Sequence, residues 1–200
     1  MKKKKIALKL VCIIVVAMLF TLSGCARRFV IDTAFQEVIE AESYTLNYCI
    51  DTPYWGDFTI TVKCDGNKRY NSEWHLFNLP ERYKEKVDGK VYLYEKDHQG
   101  NWVKSLTEAS AEDCILFTED ELAEVFNAKS YRFSNNKDGY VLKKNAQGTF
   151  PDKVVTSSWI LEKGSRLIFD GKIIINDYVM PLTMFVEDVN NTQIILPEVV

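Results

Sequence analysis

Histidine is scarce in this chain, whose 200 residues contain two, His75 and His98. The common catalytic patterns are also missing: there is no Gly-x-Ser-x-Gly elbow, no His-Glu-x-x-His helix and no phosphate-binding glycine loop. Glu73 and His75 are two positions apart in a polar segment, but no third metal ligand accompanies them. We therefore expect a protein that is not an enzyme and that holds no metal and no other cofactor.

A run of apolar residues long enough to cross a membrane is absent from the start of the chain. The apolar stretch at residues 10–20 contains 11 residues, whereas a spanning helix needs about 20. It follows a basic start, Lys2 to Lys5, and precedes the sequence Leu22-Ser23-Gly24-Cys25. A basic segment, a short apolar core and small residues before a cleavage site are typical of a signal peptide. We therefore assign residues 1–24 to a signal peptide.

The sequence Leu-Ser-Gly-Cys at the end of this segment resembles the lipobox of bacterial lipoproteins. The resemblance implies that Cys25 is thioether-linked to diacylglycerol and becomes the mature N-terminus. Two acyl chains hold a protein stably at a bilayer, so we expect a lipid-anchored protein on the extracytoplasmic face of the cell membrane. Residues 25–30 would be a short spacer that keeps the domain close to the membrane. An ordinary secreted protein, cleaved at a chance Ser-Gly-Cys, is the alternative.

The mature chain is acidic. Of the 25 basic residues, five lie in residues 1–24, which contain no acidic residue, so residues 25–200 have 20 basic and 28 acidic side chains and a formal charge of −8. This balance argues against a nucleic-acid partner, which requires a basic face, and against broad adhesion to anionic lipid. We expect the acyl anchor, not the protein surface, to provide membrane attachment.

Cysteine is also sparse. Apart from Cys25 and one cysteine in the signal peptide, the chain contains Cys49, Cys64 and Cys114, an odd number that cannot pair fully within one chain. Cys49 and Cys64 lie in predicted neighbouring strands, but the alternation of side chains places Cys64 on the apolar face with Val62 and Cys49 on the opposite face. A disulfide between them would require a β-bulge, and we favour its absence.

Two segments have the period of a helix. The first contains five apolar residues at spacings of three and four, namely Ile31, Ala34, Phe35, Val38 and Ile39, and Asp32 or Thr33 is predicted to cap it. In the second, Thr118 and Glu121 form a capping box, and the helix is predicted to end near Lys129. The acidic residues of its first turn are interpreted as favourable to the helix dipole rather than as a calcium site.

Most of the remaining chain has the period of a strand. The predicted strands are 44–51, 58–64, 69–75, 82–87, 90–96 and 101–106 before the second helix, and 131–134, 140–144, 154–162, 166–169, 172–176 and 179–187 after it. Turns such as Asp65-Gly66 and Asp88-Gly89 indicate antiparallel hairpins. The polar strand 82–87 is predicted to be an edge or outer strand. Asp170-Gly171 is either a tight hairpin or a bulge in one long strand.

These elements predict one α+β domain over residues 31–200. An antiparallel sheet of about ten strands should curl, and two helices with apolar faces can fill its concave side. This order of elements, the lipobox and the terminal sequence Asn190 to Glu198 together resemble the LolA/LprG-like lipoprotein superfamily. The resemblance implies an unclosed β-barrel whose apolar cavity takes acyl chains, in a protein that carries or senses lipids or lipoproteins.

Aromatic residues on successive predicted strands are the candidate ligand-binding set: Tyr70, Trp74, Tyr92, Tyr94, Trp102, Tyr131, Phe133 and Tyr140. They could line a pocket for an apolar ligand, with hydroxyl and indole N–H groups at a polar head, or they could form core and cross-strand packing pairs. Two functions follow. The protein is a lipid carrier or sensor, or it is a structural or interaction lipoprotein with a filled core that presents Tyr54 and Trp55 to an envelope protein partner.

Overall fold

A computed structural model describes residues 30, 32–52, 56–73, 79–108, 116–136, 139–144, 152–162, 167–175 and 177–199, without the side chains of 132–136, 139–144 and 156–162. The predicted signal peptide, Cys25 and most of the spacer lie outside these residues, as do Trp55, Trp74 and Cys114.

The described residues form eleven strands in one antiparallel sheet. The strands are β1 (Ser43–Thr52), β2 (Gly56–Asp65), β3 (Lys68–Asn71), β4 (Arg82–Val87), β5 (Lys90–Lys96), β6 (Trp102–Thr107), β7 (Tyr131–Asn136), β8 (Gly139–Lys144), β9 (Val154–Glu162), β10 (Leu167–Ile175) and β11 (Tyr178–Glu187). Their order is β6-β5-β4-β3-β2-β1-β11-β10-β9-β8-β7. The first and last strands meet at the centre, and β6 and β7 remain as separate edges. The predicted α+β fold with a curved, unclosed antiparallel sheet is confirmed.

The centre of the sheet has one apolar face. Leu46, Tyr48 and Ile50 of β1 are fully buried, and their register partners on β2 and β11 lie on the same side because directly opposed residues share a face. Phe35 from the first helix, and Phe117 just before the second, belong to the same buried cluster. We call this side the helix face and the opposite side, which carries Asn47 and Cys49, the outer face.

The first helix, α1, covers residues 32–39, and Val30 is also helical. Phe35 and Val38 are buried as predicted, but Ile39 is 47 % exposed, because it lies at the rim of a cavity described below. The prediction that Asp32 or Thr33 caps this helix is wrong, since the helical backbone includes Val30 upstream of both.

The second helix, α2 (Glu119–Val125), begins with the predicted capping box. The Glu121 amide donates to Thr118 Oγ1 at 3.2 Å, and the Thr118 amide donates to Glu121 Oε2 at 2.8 Å. The helix ends before the predicted Lys129, because Asn127 has extended backbone angles and its side chain caps a separate 3-10 turn at Ala128–Ser130. None of the described helices is long and apolar enough to cross a membrane.

One strand prediction is wrong, and one open alternative is decided. The polar strand β4 is not an edge, because β3 and β5 are hydrogen-bonded to its two sides and the edge of this part of the sheet is β6. β10 is one continuous strand with a register shift between Lys172 and Ile173, which excludes a hairpin at Asp170-Gly171. The turn into β11 is made at Asp177, with φ of 67°.

The register explains why Cys49 and Cys64 form no disulfide with each other. Cys49 is opposite Thr59 on the outer face, whereas Cys64 is opposite Tyr44 on the helix face. The pleat therefore directs the two thiols to opposite sides of the sheet. The predicted absence of this bridge is confirmed.

The C-terminal segment, residues 190–199, packs against the start of the sheet without regular secondary structure. The Asn190 amide donates to the Ser43 carbonyl at 2.7 Å, and the Thr192 and Thr45 hydroxyls are 2.8 Å apart. The Ile194 amide donates to Asp65 at 2.9 Å. These contacts hold the segment beside the outer face of β1 and β2.

Candidate functional site

The strand register places four of the five predicted aromatic residues with described side chains on the outer face. Lys63 lies opposite Tyr70, and the neighbouring residues Val62 and Cys64 are buried under the helices. Because opposed residues share a face, the outer face then carries Tyr70, Tyr83, Tyr92, Tyr94 and Trp102. Tyr131 is instead buried in the core, 6.0 Å from the Phe35 ring. The side chains of Trp74, Phe133 and Tyr140 lie outside the described residues. The described members therefore do not line one common pocket.

The outer-face aromatic residues pack against one another and against lysines. The rings of Tyr70 and Tyr83 are 4.9 Å apart, and those of Tyr83 and Trp102 are 5.2 Å apart. Lys96 Nζ lies 4.9 Å from the Trp102 ring, and Lys104 Nζ lies 4.3 Å from the ring of Tyr92. Lys63 lies over the ring of Tyr70 in the same way. We call the outer-face aromatic residues, together with Lys63, Lys96 and Lys104, the aromatic–lysine ladder. Each such cation–π contact contributes about 0.5–1 kcal/mol at an exposed site.

Carboxylates complete the aromatic–lysine ladder. The Tyr94 hydroxyl donates to Glu85 Oε2 at 2.9 Å, and the Tyr70 hydroxyl donates to Glu81 Oε1 at 3.3 Å. Burial, followed by the charge of Glu81, raises the pKa of Tyr70 to about 12. Burial and Glu81 also raise the pKa of Tyr83. The raised pKa values keep the hydroxyls of Tyr70 and Tyr83 protonated near neutral pH, so both can act as hydrogen-bond donors.

A groove of about 470 Å³ lies between Tyr70 and Tyr83 of this ladder and the C-terminal segment at Gln193 to Ile195. It is the nearest match on the described surface to the predicted aromatic pocket. Thr61, Lys63 and Ser72 add polar side chains to its walls, so its lining is a mixture of aromatic, aliphatic and polar groups.

A larger cavity, of about 640 Å³, lies on the helix face between the two helices and β1–β3. We call it the inter-helix cavity. Its apolar or small lining residues are Val38, Ile39 and Ala41 from α1 and the following turn, Leu122, Ala123 and Phe126 from α2 and its C-cap, and Tyr44 and Cys64 from the sheet. Ligand pockets commonly measure about 300–1,000 Å³.

The charged residues among the described lining are one cation, Arg69, and three carboxylates, Glu42, Glu119 and Asp120. Arg69 lies opposite Cys64 in the β2–β3 hairpin and therefore belongs to the helix face. Its Nη2 donates to Glu119 Oε1 at 2.6 Å, and its Nη1 donates to the carbonyls of Gly66 at 2.6 Å and Lys68 at 2.9 Å. The Arg69 side chain is 15 % exposed, and its buried Nε has no hydrogen-bond acceptor among the described residues.

The surroundings of Arg69 favour its charged form. Burial acts to lower the pKa of this guanidinium, but the Cys64 thiol and the Glu119 carboxylate act in the opposite direction, and the net pKa is raised. Arg69 is therefore a permanent positive charge beside apolar walls. Its ion pair with Glu119 also links β3 to the first turn of α2.

Sequence reasoning did not identify Arg69, and it interpreted Glu119 only through the helix dipole. A signal for Arg69 was nevertheless present. The turn at Gly66 and Asn67 makes Cys64 and Arg69 register partners, so a charge at position 69 falls on the face that the alternation of β2 predicts to be apolar. The pairing with Glu119 could not be predicted, because 50 residues separate the two along the chain.

The described residues contain no group of three histidine, cysteine, aspartate or glutamate side chains that could hold a metal ion. Lys153 forms an ion pair of 2.6 Å with Glu121, so this acid of the α2 first turn already has a basic partner. His98 lies in the turn between β5 and β6, and His75 is outside the described residues.

Comparison with known proteins gives little further information. No protein-family model matches the chain, and no curated protein sequence matches it. Among solved structures, it is similar to the crystal structure of a DUF1329 family protein from Desulfovibrio piger, with 8 % sequence identity and a TM-score of 0.32 over 82 % of this chain and 91 % of that chain. A likeness at this level supports no argument about function. The resemblance to the LolA/LprG-like superfamily therefore stays a prediction.

Proposed function

We propose that this protein is a lipid-anchored, extracytoplasmic protein that binds an apolar ligand, either a lipid or the acyl chain of a lipoprotein, as a carrier or sensor and without catalysing a reaction. The observation that carries the proposal is the inter-helix cavity, whose walls come from both helices and the sheet. The lipobox-like sequence before Cys25 supports the proposed location.

Burial of an aliphatic chain would supply the affinity. Each methylene group transferred from water contributes about 0.8 kcal/mol, and Val38, Leu122 and Phe126 offer apolar surface for such a chain. Binding of this kind requires no catalytic residue. It also suits a carrier, because an aliphatic chain has no directional bonds that would have to break on release.

The position of the proposed anchor also favours a lipid ligand. Cys25 precedes Val30, the first described helical residue, by five residues, and five extended residues span at most about 17 Å. If Cys25 carries diacylglycerol, α1 is held near the bilayer surface. Val38 and Ile39 of α1 line the cavity, so a ligand leaving the membrane would have a short path to it.

The test is native mass spectrometry of a Cys25→Ser chain, which cannot be acylated, after secretion from a bacterial host and purification without detergent. We expect a lipid to co-purify with the protein and to be released by extraction with organic solvent. Ala123→Trp should abolish it, because Ala123 is exposed and lines the cavity, so that the indole fills the space without removing a core side chain.

Glu37→Trp is the matched control, because it adds the same indole to an exposed position of α1 that does not line the cavity. This variant should retain the lipid. Absence of lipid from the parent chain, together with no binding of a fluorescent acyl probe, would reject the proposed function. Equal occupancy in both tryptophan variants would place the ligand elsewhere.

A second candidate is an interaction lipoprotein that contacts an envelope protein. It is favoured by an exposed apolar patch around the β10–β11 turn, where Val155, Ile174, Tyr178 and Val179 are 38–68 % exposed, because such patches often mark interaction sites. Crosslinking in cells should then capture a defined partner that Val179→Ser loses and Ala123→Trp retains. No difference between these two variants would reject this candidate.

A further inference from the structure

We infer that the ligand of the inter-helix cavity is an anionic amphiphile, with one or more aliphatic chains against the helices and a carboxylate or phosphate headgroup on Arg69. This inference rests on the proposed function of the cavity and specifies the chemical class of its ligand. It depends on the contacts of Arg69 and on the difference in exposure between Arg69 and Glu119.

In the part of the chain that the structure describes, one of two parallel N–H donors of the Arg69 guanidinium has no acceptor. A guanidinium binds a carboxylate most strongly through two parallel N–H donors, and Nε together with Nη2 forms one such pair. Glu119 occupies Nη2 through Oε1 at 2.6 Å, while the buried Nε has no acceptor among the described residues. The ion pair with Glu119 therefore satisfies one donor of a two-donor edge. Because Nε is buried, an incoming carboxylate or phosphate can use both donors only after Glu119 has moved away.

In the ion pair between Arg69 and Glu119, Arg69 is held in place, whereas Glu119 can be replaced by another anion. The other nitrogen, Nη1, donates to two backbone carbonyls of the β2–β3 hairpin, those of Gly66 and Lys68. The Arg69 side chain is 15 % exposed, whereas that of Glu119 is 39 % exposed. Glu119 can therefore rotate into water when a ligand anion arrives, and Arg69 stays in place to receive it.

The rest of the cavity suits the other end of an amphiphile. Arg69 and its register partner Cys64 form the sheet side of the cavity, while Val38, Leu122 and Phe126 form the apolar helix side. Three carboxylates also line the cavity, those of Glu42, Glu119 and Asp120. Arg69 is therefore the one cation among its described lining residues and the place where a negatively charged headgroup would bind. A neutral chain of equal length would gain no ionic contact with Arg69, and hydrogen bonds between two charged groups are stronger than those to a neutral acceptor.

The experiment compares dodecanoate, dodecyl phosphate and dodecanol as competitors of a fluorescent acyl probe on the delipidated Cys25→Ser chain. At least one of the two anions should bind about tenfold or more tightly than the alcohol, the effect of a charge-assisted hydrogen bond. The anion that binds more tightly distinguishes a fatty-acid-like ligand from a phospholipid-like ligand, and either preference supports the inference.

Two substitutions test the role of Arg69. Arg69→Met keeps an unbranched side chain of similar length and should lower the affinity for the preferred anion to that for dodecanol, whose own affinity should not change. Glu119→Gln removes the competing carboxylate and should increase the affinity for the anion severalfold, again without affecting dodecanol. A purely structural ion pair would not produce this increase, and the test remains decisive if Arg69→Met does not fold.

The outcomes separate the two proposals. Equal affinities for anions and alcohol in the parent chain, unchanged by Glu119→Gln, would overturn the inference about the headgroup and leave the proposed function intact. Failure of all three compounds and of the acyl probe to bind would reject the proposed function itself.

Discussion

The two faces of this sheet are stabilised by different interactions. On the helix face, β1, β2, β10 and β11 bury aliphatic and aromatic side chains under α1 and α2. On the outer face, β3 to β6 have no described helix over them, and the aromatic rings of the aromatic–lysine ladder are covered by lysine side chains instead. Long lysine side chains can shield apolar surface while their ammonium groups stay in water. A wide sheet can therefore keep exposed strands ordered with few helices.

The largest expected effect is on the helix face. Phe35 is 2 % exposed, and its ring lies 5.7 Å from that of Phe126. Phe35→Ala should lower the free energy of unfolding by about 3–5 kcal/mol, because it removes a large buried side chain and leaves a cavity. Urea denaturation measures this, with the exposed Val179→Ala as control. A loss below about 1 kcal/mol would contradict the assigned role of α1 in the core.

An intermediate effect is expected on the outer face. Tyr83 is the central ring of its row, between Tyr70 and Trp102. Tyr83→Ala should cost about 1–3 kcal/mol, since two aromatic contacts of about 0.5–1.5 kcal/mol each are lost. The same denaturation experiment applies, and Tyr83→Phe, which keeps the ring, should cost much less. If Tyr83→Ala destabilises as strongly as Phe35→Ala, the distinction between the two faces is wrong.

A smaller effect is expected where α2 begins. Thr118→Ala removes the acceptor for the Glu121 amide and should cost about 1 kcal/mol, as is usual for a lost N-cap. Thr118→Ser, which keeps a hydroxyl, should retain most of the stability. Thermal unfolding of the two variants makes the comparison, and identical melting temperatures would show that the capping box contributes nothing.

The smallest expected effect concerns pH. The pKa of Tyr70 in the folded chain is raised from 10.0 to about 12, chiefly by burial and then by Glu81. Its contribution to stability is therefore fully present below pH 10, the unfolded pKa, and is lost as pH rises through about 12. Tyr70→Phe should reduce this loss between pH 10 and 12, as followed by urea denaturation at several pH values. An identical pH dependence in both chains would contradict the assigned burial.

Local signals in the sequence predicted much of the fold. The Thr118 and Glu121 capping box, the alternation along β1 and β2, and the hairpin at Asp88-Gly89 depend on residues close together in the chain, and each is confirmed. The errors arise where distant residues decide. β4 resembles an edge strand in composition, but its neighbours follow from the order of the whole meander. Ile39 belongs to the apolar pattern of α1, but it lies at the inter-helix cavity and is 47 % exposed.

The amino-acid sequence by itself determined the elements of this protein: two short helices, many short antiparallel strands and the direction in which each strand alternates. It also contained the lipobox-like segment that supports the proposed anchor. Only the tertiary structure decided which predicted aromatic residues share a face, and that Arg69 meets Glu119 at a cavity between the helices. The physical reason is that hydrogen bonding and side-chain period act within a few residues, whereas a cavity depends on how far separate elements extend over one another.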